Sequence, residues 1–211
     1  MDAAKIQALA YKGLGKGAKV LGTDHKVYRW ATLLDPIAGP ELMTIKASMT
    51  TSYGYGKAKK PGTPDMMLVA DASLLQSWDW LVGEQTSYLC RLQPLLPPTV
   101  IQCNRVVSIV RPSYPDAQPG TEFRAIEIPI ASALPVFIKT KDGRASSSKM
   151  LGFTSDTAAG INEYEVYVNA SAVGSILKND IVIDELGDRY EVDAANPSDF
   201  GYICAVRSMK P

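Results

Sequence analysis

Short β-favouring runs, separated at close intervals by proline and glycine, constrain the fold of this chain more than any other feature. In the block 78–112, three prolines within residues 94–98 exclude a helix there, because proline lacks an amide hydrogen and restricts the residue before it. Residues 164–168 alternate between two faces, as the side chains of a strand do. The sequence therefore predicts a mainly β protein.

The predicted strands fall into two regions. They cover residues 26–34, 43–52, 66–72, 78–82, 86–92, 99–111, 133–140, 164–168, 180–184, 188–192 and 201–206, with a hairpin turn at Glu185-Leu186-Gly187. Three prolines and a glycine between residues 112 and 121 indicate a connection between the regions. We expect an N-terminal helix or arm at 1–24, a β-rich domain at 25–112, a linker at 113–121 and a second β-rich domain at 122–211. Each domain is expected to be a small antiparallel barrel or sandwich, and no internal repeat with a fixed period is visible.

The N-terminal segment has the apolar spacing of a helix over residues 2–22, with Asp2 as the N-cap and Gly22 as the stop. Each of its three interior glycines costs about 0.5–1 kcal/mol relative to alanine, so the helix needs a packing surface. Two arrangements remain open. The helix lies on its own domain, or it docks on a neighbouring subunit, where Gly13 and Gly17 would allow a close backbone approach.

Two opposite sides of this helix are candidate binding surfaces. The predicted docking face consists of Ile6, Leu9, Ala10, Gly13, Leu14, Gly17, Ala18 and Leu21. The other side is basic, and a loop rich in glycine and proline adds further lysines. The candidate contacts for a polyanion or an acidic partner are Lys12, Lys16, Lys19, Lys57, Lys59 and Lys60, with a solvated lysine surface as the alternative.

Charge and cysteine content argue against several classes of protein. The 211 residues hold 22 Lys and Arg against 22 Asp and Glu, whereas dedicated nucleic-acid-binding proteins usually carry a basic excess. No stretch approaches 18 consecutive apolar residues and the N-terminus lacks a signal-peptide pattern, so we expect an intact cytoplasmic terminus and no membrane span. Three cysteines without CxxC spacing and one histidine predict buried reduced thiols rather than a zinc site. No cofactor is expected.

Candidate catalytic motifs lack their structural context. The glycine-rich residues 13–17 follow no strand and have neither dinucleotide-binding nor P-loop spacing. His25 beside Asp24 has no identifiable nucleophile, and Lys149 after three serines lacks the setting of a catalytic Ser–Lys pair. An acidic cluster near the C-terminal hairpin is either a divalent-ion site or a solvated hairpin end; it comprises Asp180, Asp184, Glu185 and Asp188. The sequence indicates a protein that is not an enzyme.

Several separate patches of the chain carry residues that occur together in one known group of proteins. In the block 78–112 these are Gly83, Tyr88, the segment 93–97, Cys103-Asn104-Arg105 and Arg111-Pro112. The others are the N-terminal helix with its glycine, alanine and lysine residues, followed by Leu21-Gly22-Thr23 and Val27-Tyr28-Arg29, and the C-terminal hairpin 179–192. Together they resemble a group of structural proteins of tailed bacteriophages. That hairpin is also similar to the hairpin of small β-barrel head-closure and tail-joining proteins. The resemblance supplies no catalytic residue.

This resemblance implies a virion protein that works as a ring of identical subunits at the head-to-tail connector, the neck or collar, or the tail. The implied partners are further copies of the chain and neighbouring virion proteins such as portal, adaptor or tail-tube subunits. Non-specific contact with packaged DNA is also implied, and contact with a membrane is not. The implied location is the virion, after assembly in the cytoplasm of the host bacterium.

A second interpretation is a β-rich module for tail-fibre attachment or for binding a receptor or sugar. Its basis is a supply of aromatic side chains, namely Tyr53, Tyr55, Trp78 and Trp80. The two interpretations differ in the expected mass of the particle, because a ring has a mass far above that of one chain.

Overall fold

The computed structural model describes residues 2–29, 34–50, 65–84, 86–93, 95–114, 126–140, 163–169, 176–198 and 201–209. The described chain is mainly β, with one N-terminal helix followed by two closed six-stranded antiparallel barrels. The predicted fold class is thus confirmed.

Helix α1 spans Ala3–Leu21, close to its predicted bounds. The Asp2 carboxylate caps it by accepting a hydrogen bond from the Ala4 amide at 3.3 Å. At the other end the Gly22 amide donates to the Ala18 carbonyl at 2.7 Å. A Cβ at Gly22 would lie 2.6 Å from that carbonyl oxygen, so glycine is required where the chain turns into the first strand.

The first barrel follows α1 directly. Its strands are β1 (Thr23–Tyr28), β2 (Met43–Thr50), β3 (Asp65–Val69), β4 (Trp80–Val82), β5 (Ser87–Arg91) and β6 (Thr99–Gln102). They are arranged around the barrel in the order β1-β2-β3-β6-β5-β4, and a short 3₁₀ turn at Ala72–Leu74 follows β3. The core contains Val27, Leu68, Leu81, Cys90 and Val100, which are fully buried.

The second barrel contains the remaining strands. These are β7 (Arg105–Ser113), β8 (Ile126–Thr140), β9 (Glu163–Val168), β10 (Ile181–Asp184), β11 (Arg189–Ser198) and β12 (Gly201–Ser208). Their order is β7-β8-β9-β12-β11-β10. The predicted hairpin is present, because β10 pairs with β11 in antiparallel register around the turn that follows Asp184.

The second barrel repeats the topology of the first. Replacing each strand of the first barrel by the strand six positions later reproduces the order of the second. The repeat extends to side chains, because each barrel has one arginine that holds one buried aspartate. The arginine and the aspartate of the first pair are separated by a different number of residues from those of the second pair. The sequence therefore shows no repeat with a fixed period.

In the first barrel the arginine–aspartate pair bridges the paired strands β1 and β4. The guanidinium of Arg29, just after β1, donates to both carboxylate oxygens of Asp79, just before β4, at 2.8 Å each. The carboxylate also accepts the Gln76 amide at 2.8 Å. Trp78, which lies between Gln76 and Asp79 in the chain, has a φ of 79°, a left-handed conformation that is uncommon for a bulky residue. The pair therefore fixes a strained turn as well as a strand pairing.

The second barrel has the same arrangement between β7 and β10. Arg111 donates to the two carboxylate oxygens of Asp180 at 2.8 and 2.9 Å. Asp180 also accepts the Leu177 amide at 2.7 Å, and Asn179 has a φ of 71°. Hydrogen bonding to Asp180 raises the pKa of Arg111, as hydrogen bonding to Asp79 raises that of Arg29. We call these two pairs the clamps.

The boundary between the barrels differs from the predicted one. The predicted strand 99–111 is two strands, β6 and β7, in different barrels, and the interruption falls at Cys103 and Asn104. The chain divides into Met1–Val106 with Ala133–Phe137, and Val107–Ser132 with Ile138–Pro211. Residues 107–112 thus belong to the second unit rather than to the predicted domain 25–112. Most of the predicted linker 113–121 lies outside the described residues.

Loss of a clamp should destabilise its barrel strongly. Arg29→Ala leaves the Asp79 carboxylate, whose side chain is 1% exposed, without its counter-charge. We expect a loss of about 3 kcal/mol in the free energy of unfolding, the lower end for a broken buried ion pair, because the arginine is itself one-third exposed. Urea denaturation measures the change.

The matched control for this prediction is Arg207→Ala. Arg207 donates to Glu191 at 2.8 Å in an exposed ion pair, for which little loss of stability is expected because water screens the two charges. Equal losses for Arg29→Ala and Arg207→Ala would show that the clamp does not hold the barrel.

Candidate subunit-docking surface

Helix α1 lies on the first barrel through one narrow face. Tyr11, Gly15 and Ala18 are buried at a helical spacing, and α1 contacts β2, β3 and the 3₁₀ turn. Gly15 makes the close approach, because a Cβ there would lie 2.7 Å from the Cβ of Asp71. The arrangement in which the helix lies on its own domain is therefore present.

The predicted docking face is divided by this packing. Ala18 is 1% exposed and faces the helix's own barrel, so it is not available to a neighbour. Leu14 and Gly17 are half-buried. The remaining five residues of the predicted face are exposed: Ile6, Leu9, Ala10, Gly13 and Leu21. The predicted face is divided because the helix approaches the barrel most closely at Gly15. The side of the helix that carries Tyr11 therefore faces the barrel.

The two glycines predicted to allow close approach differ in their surroundings. A Cβ on Gly13 would have no atom within 4 Å. A Cβ on Gly17 would lie 3.6 Å from Cγ1 of Val69, an ordinary contact within the barrel. Gly13 therefore leaves open space beside the helix, and Gly17 does not.

An apolar groove runs beside the exposed part of α1. It has a volume of about 360 Å³ and lies between the helix and the segment after β5. Its walls include Ile6, Ala10, Gly13 and Leu14 on the helix and Leu95, Leu96, Pro97 and Pro98 on the segment. We call this feature the helix groove. Sequence reasoning missed its second wall, because the prolines indicated only an extended kink.

Several other apolar side chains of α1 are exposed, in addition to those that line the groove. Ile6 is 48% exposed, Leu9 63% and Leu21 76%, and Val20, which the predicted face did not include, is 83% exposed. Leu96 on the opposite wall is also exposed. Single exposed leucines are ordinary on protein surfaces, but five large apolar side chains on and beside one helix are more than isolated exposure and make this region a candidate interaction site.

The basic surface of α1 is exposed as predicted. Lys12, Lys16 and Lys19 are exposed, and with Lys5 they give the helix four lysines and no acidic residue. The other candidate contacts, Lys57, Lys59 and Lys60, lie outside the described residues.

Net charge is distributed unequally between the two units of the chain. The first unit has 12 Lys and Arg against eight Asp and Glu, a net charge of +4. The second has ten against 14, a net charge of −4. The zero net charge of the whole chain therefore conceals two oppositely charged halves.

The single histidine contributes to the packing of the first barrel. His25 is buried in the first barrel, where its Nδ1 lies 3.0 Å from the Thr23 carbonyl oxygen. A Cβ on Gly83 would lie 3.0 Å from the His25 Nε2, so the ring fills the space beside this glycine. Asp24 forms an ion pair with Lys46 at 3.1 Å. The geometry thus gives His25 and Asp24 separate partners.

The acidic cluster near the second hairpin is used for hydrogen bonding within the barrel. Asp180 belongs to a clamp. Asp184 accepts the amides of Leu186 and Asp188 at 3.0 and 2.9 Å, and the hydroxyl of Tyr190 at 3.3 Å. Within the described ranges, no group of three His, Cys, Asp or Glu side chains is placed to hold a metal ion.

The three cysteines are free. Burial raises the pKa of the Cys103 and Cys204 thiols to about 12, and it raises that of Cys90 further. Because the thiolate is the reactive form, these side chains are expected to react slowly in the folded protein.

The aromatic residues of the second interpretation do not form a surface in the described chain. Trp80 is fully buried in the first barrel, and Trp78 is half-buried. Tyr53 and Tyr55 lie outside the described residues.

Comparisons with protein-family models, curated proteins and solved structures find no match to this chain. In the part of the chain that the structure describes, no helix has the length and apolar composition needed to span a membrane.

Gly13, which is exposed, and Gly15, which is buried, give opposite predictions for stability. Gly13→Ala should stabilise the protein by about 0.5–1 kcal/mol, because alanine favours the helix and meets no atom. Gly15→Ala should destabilise it by about 1–3 kcal/mol, because the new methyl group collides with Asp71. Thermal or urea denaturation of both variants measures this contrast, and a stabilising Gly15→Ala would show that α1 does not pack on the barrel as described.

Proposed function

We propose that this chain is a non-enzymatic structural subunit of a bacteriophage virion. It forms a ring of identical copies at the head-to-tail connector, the neck or collar, or the tail. The observation that carries the proposal is the exposed apolar surface of α1, on a helix that is already held on its own barrel. The resemblance of the sequence to tailed-phage structural proteins supplies the biological setting.

The exposed apolar surface favours association over an isolated subunit. Removing apolar surface from water contributes about 25 cal/mol per Å². Leu9 and Leu21 are mostly exposed and lie on a rigid helix, so little side-chain and backbone order has to be gained on binding. A partner that covers them gains the burial energy at low entropic cost.

The charge distribution favours a head-to-tail arrangement of copies. A ring uses heterologous contacts, in which each subunit presents one surface to one neighbour and a different surface to the other. The net charges of +4 and −4 on the two units suit such contacts, because the basic unit of one copy attracts the acidic unit of the next.

The lysines of α1 give the ring a further contact surface. In the proposed virion they face an acidic neighbour, such as a portal, adaptor or tail-tube subunit, or packaged DNA in the channel. Exposed charges contribute little to the stability of the subunit itself. Lys12, Lys16 and Lys19 therefore serve binding that depends on salt concentration.

The proposal is tested by the mass of the purified chain and of one variant. The native chain should form closed particles with many times its 22.8 kDa mass in light scattering after size-exclusion chromatography. Gly13→Leu should fold normally, since a Cβ at this position has no atom within 4 Å, yet it should shift the particles toward monomer. Gly39→Leu, also in open space but away from the helix, is the matched control.

A native chain that remains monomeric at high concentration would overturn the proposed ring. Normal assembly of Gly13→Leu would show instead that the ring forms without this part of the helix.

A further inference from the structure

We infer that a polar pocket at one end of the first barrel binds a cationic nitrogen group, such as the ammonium group of a lysine side chain or of a small amine. The pocket has a volume of about 630 Å³ and lies where β1 begins and where the turn between β4 and β5 closes. We call it the barrel-end pocket. This inference concerns one barrel of one subunit, so it goes beyond the proposed function and does not depend on the ring.

The buried histidine offers one ring nitrogen to the barrel-end pocket. His25 lines the pocket and is 5% exposed. Its Nδ1 must be the donor in the 3.0 Å contact with Thr23, because a carbonyl oxygen can only accept a hydrogen bond. In the neutral ring, Nε2 is then an acceptor. No described residue forms a hydrogen bond with Nε2, and this atom is not sealed from solvent, so the pocket contains an acceptor that a ligand can use.

A glycine leaves room for a ligand atom beside this nitrogen. A Cβ on Gly83 would lie 3.0 Å from Nε2 of His25 and 3.1 Å from its Cδ2. Gly83 lacks the positive φ that favours glycine at Gly187, so its backbone conformation does not require glycine. Its amide donates to the Thr86 carbonyl at 3.0 Å and closes the turn. What glycine contributes at this position is therefore open space next to the acceptor.

The charges around the barrel-end pocket favour a cation. Asp24, Glu84 and Lys46 line it. The Lys46 ammonium lies 3.1 Å from the Asp24 carboxylate, so these two charges compensate each other. Glu84 is exposed and forms no ion pair with a described residue. The pocket also touches Gly22, the C-cap of α1, and the C-terminal end of a helix carries a partial negative charge.

Other classes of ligand match these groups less well. An anion would be repelled by Glu84, and the lysine of the pocket is already paired. Within the described ranges, no group of three His, Cys, Asp or Glu side chains could hold a metal ion. Tyr88 adds to the pocket an aromatic ring, which attracts cations, and a hydroxyl without a partner among the described residues. Three acceptors, on His25, Glu84 and Tyr88, thus match an ammonium group, which has three N–H donors.

The inference is tested by saturation-transfer NMR, observed on small probes in the presence of the full chain. The probes are Nα-acetyl-lysine amide, which represents a protein side chain, and 1,4-diaminobutane, which represents a free amine. Nα-acetyl-norleucine amide is the uncharged control. At a pH of about 8, where histidine side chains are ordinarily neutral, we expect saturable transfer to the CH₂ group next to the cationic nitrogen and none to the norleucine probe.

One exposed side chain supplies the decisive variant. Glu84→Gln should weaken binding of the cationic probes by about tenfold, because a hydrogen bond to a charged group is lost. Glu41→Gln is the matched control, since it removes an exposed carboxylate of the same unit that does not line the pocket, and it should bind as the native chain does.

Both probe and variant outcomes decide the inference. Tighter binding of the lysine amide identifies a protein side chain as the ligand, and tighter binding of 1,4-diaminobutane identifies a free amine; either result supports a cation site. Equal transfer to the norleucine probe, no transfer to either cationic probe, or unchanged binding by Glu84→Gln would overturn it. None of these results bears on the proposed ring, which the mass of the particle tests separately.

Discussion

Each barrel depends on one buried aspartate that is held by one arginine. The carboxylate of Asp79 or Asp180 is almost fully removed from water, which would be costly without a counter-charge. The two hydrogen bonds from Arg29 or Arg111 compensate that cost and also join two strands that are far apart in sequence. The same carboxylates accept backbone amides from the turn before the strand, so one side chain fixes a turn and a strand pairing together.

Each barrel holds an exposed apolar surface in a defined position. Because the first barrel is fixed, Tyr11 and Gly15 hold α1 at a defined position, and the apolar residues on its other side are presented to solvent in one arrangement. In the second barrel, Asp184 presents Leu186 in the same way at a hairpin tip. Exposing the apolar side chains of both surfaces to water costs free energy, and both surfaces are ordered before any partner binds. That combination suits a subunit completed by its neighbours.

The sequence predicted local structure better than long-range structure. The helix bounds followed from Asp2 and Gly22, and the second hairpin followed from a turn sequence between two β-favouring runs, since both depend on residues close together in the chain. The change of barrel at Cys103 and Asn104 was missed because continuous β-favouring residues surround it. The clamps join residues far apart in sequence, and a single sequence contains no signal that pairs Arg29 with Asp79 rather than with another carboxylate.

The exposure of the candidate docking face was predicted only in part, for the same reason. Apolar spacing alone identified the exposed residues Ile6, Leu9 and Leu21, but it also assigned Ala18 to the docking face, although Ala18 packs on the barrel. Which side of a helix faces its own domain depends on the closest backbone approach. Here that approach occurs at Gly15, a residue that the apolar pattern did not distinguish from Gly13.

The central claim is that ordered surfaces on the two oppositely charged units join copies of this chain head to tail. The most direct measurement is an electron cryomicroscopy reconstruction of the assembled particle. The account predicts a closed ring in which the exposed apolar face of α1 in each subunit is covered by the next subunit. A particle built from two-fold symmetric contacts, or a ring in which that face of α1 lies in solvent, would contradict it.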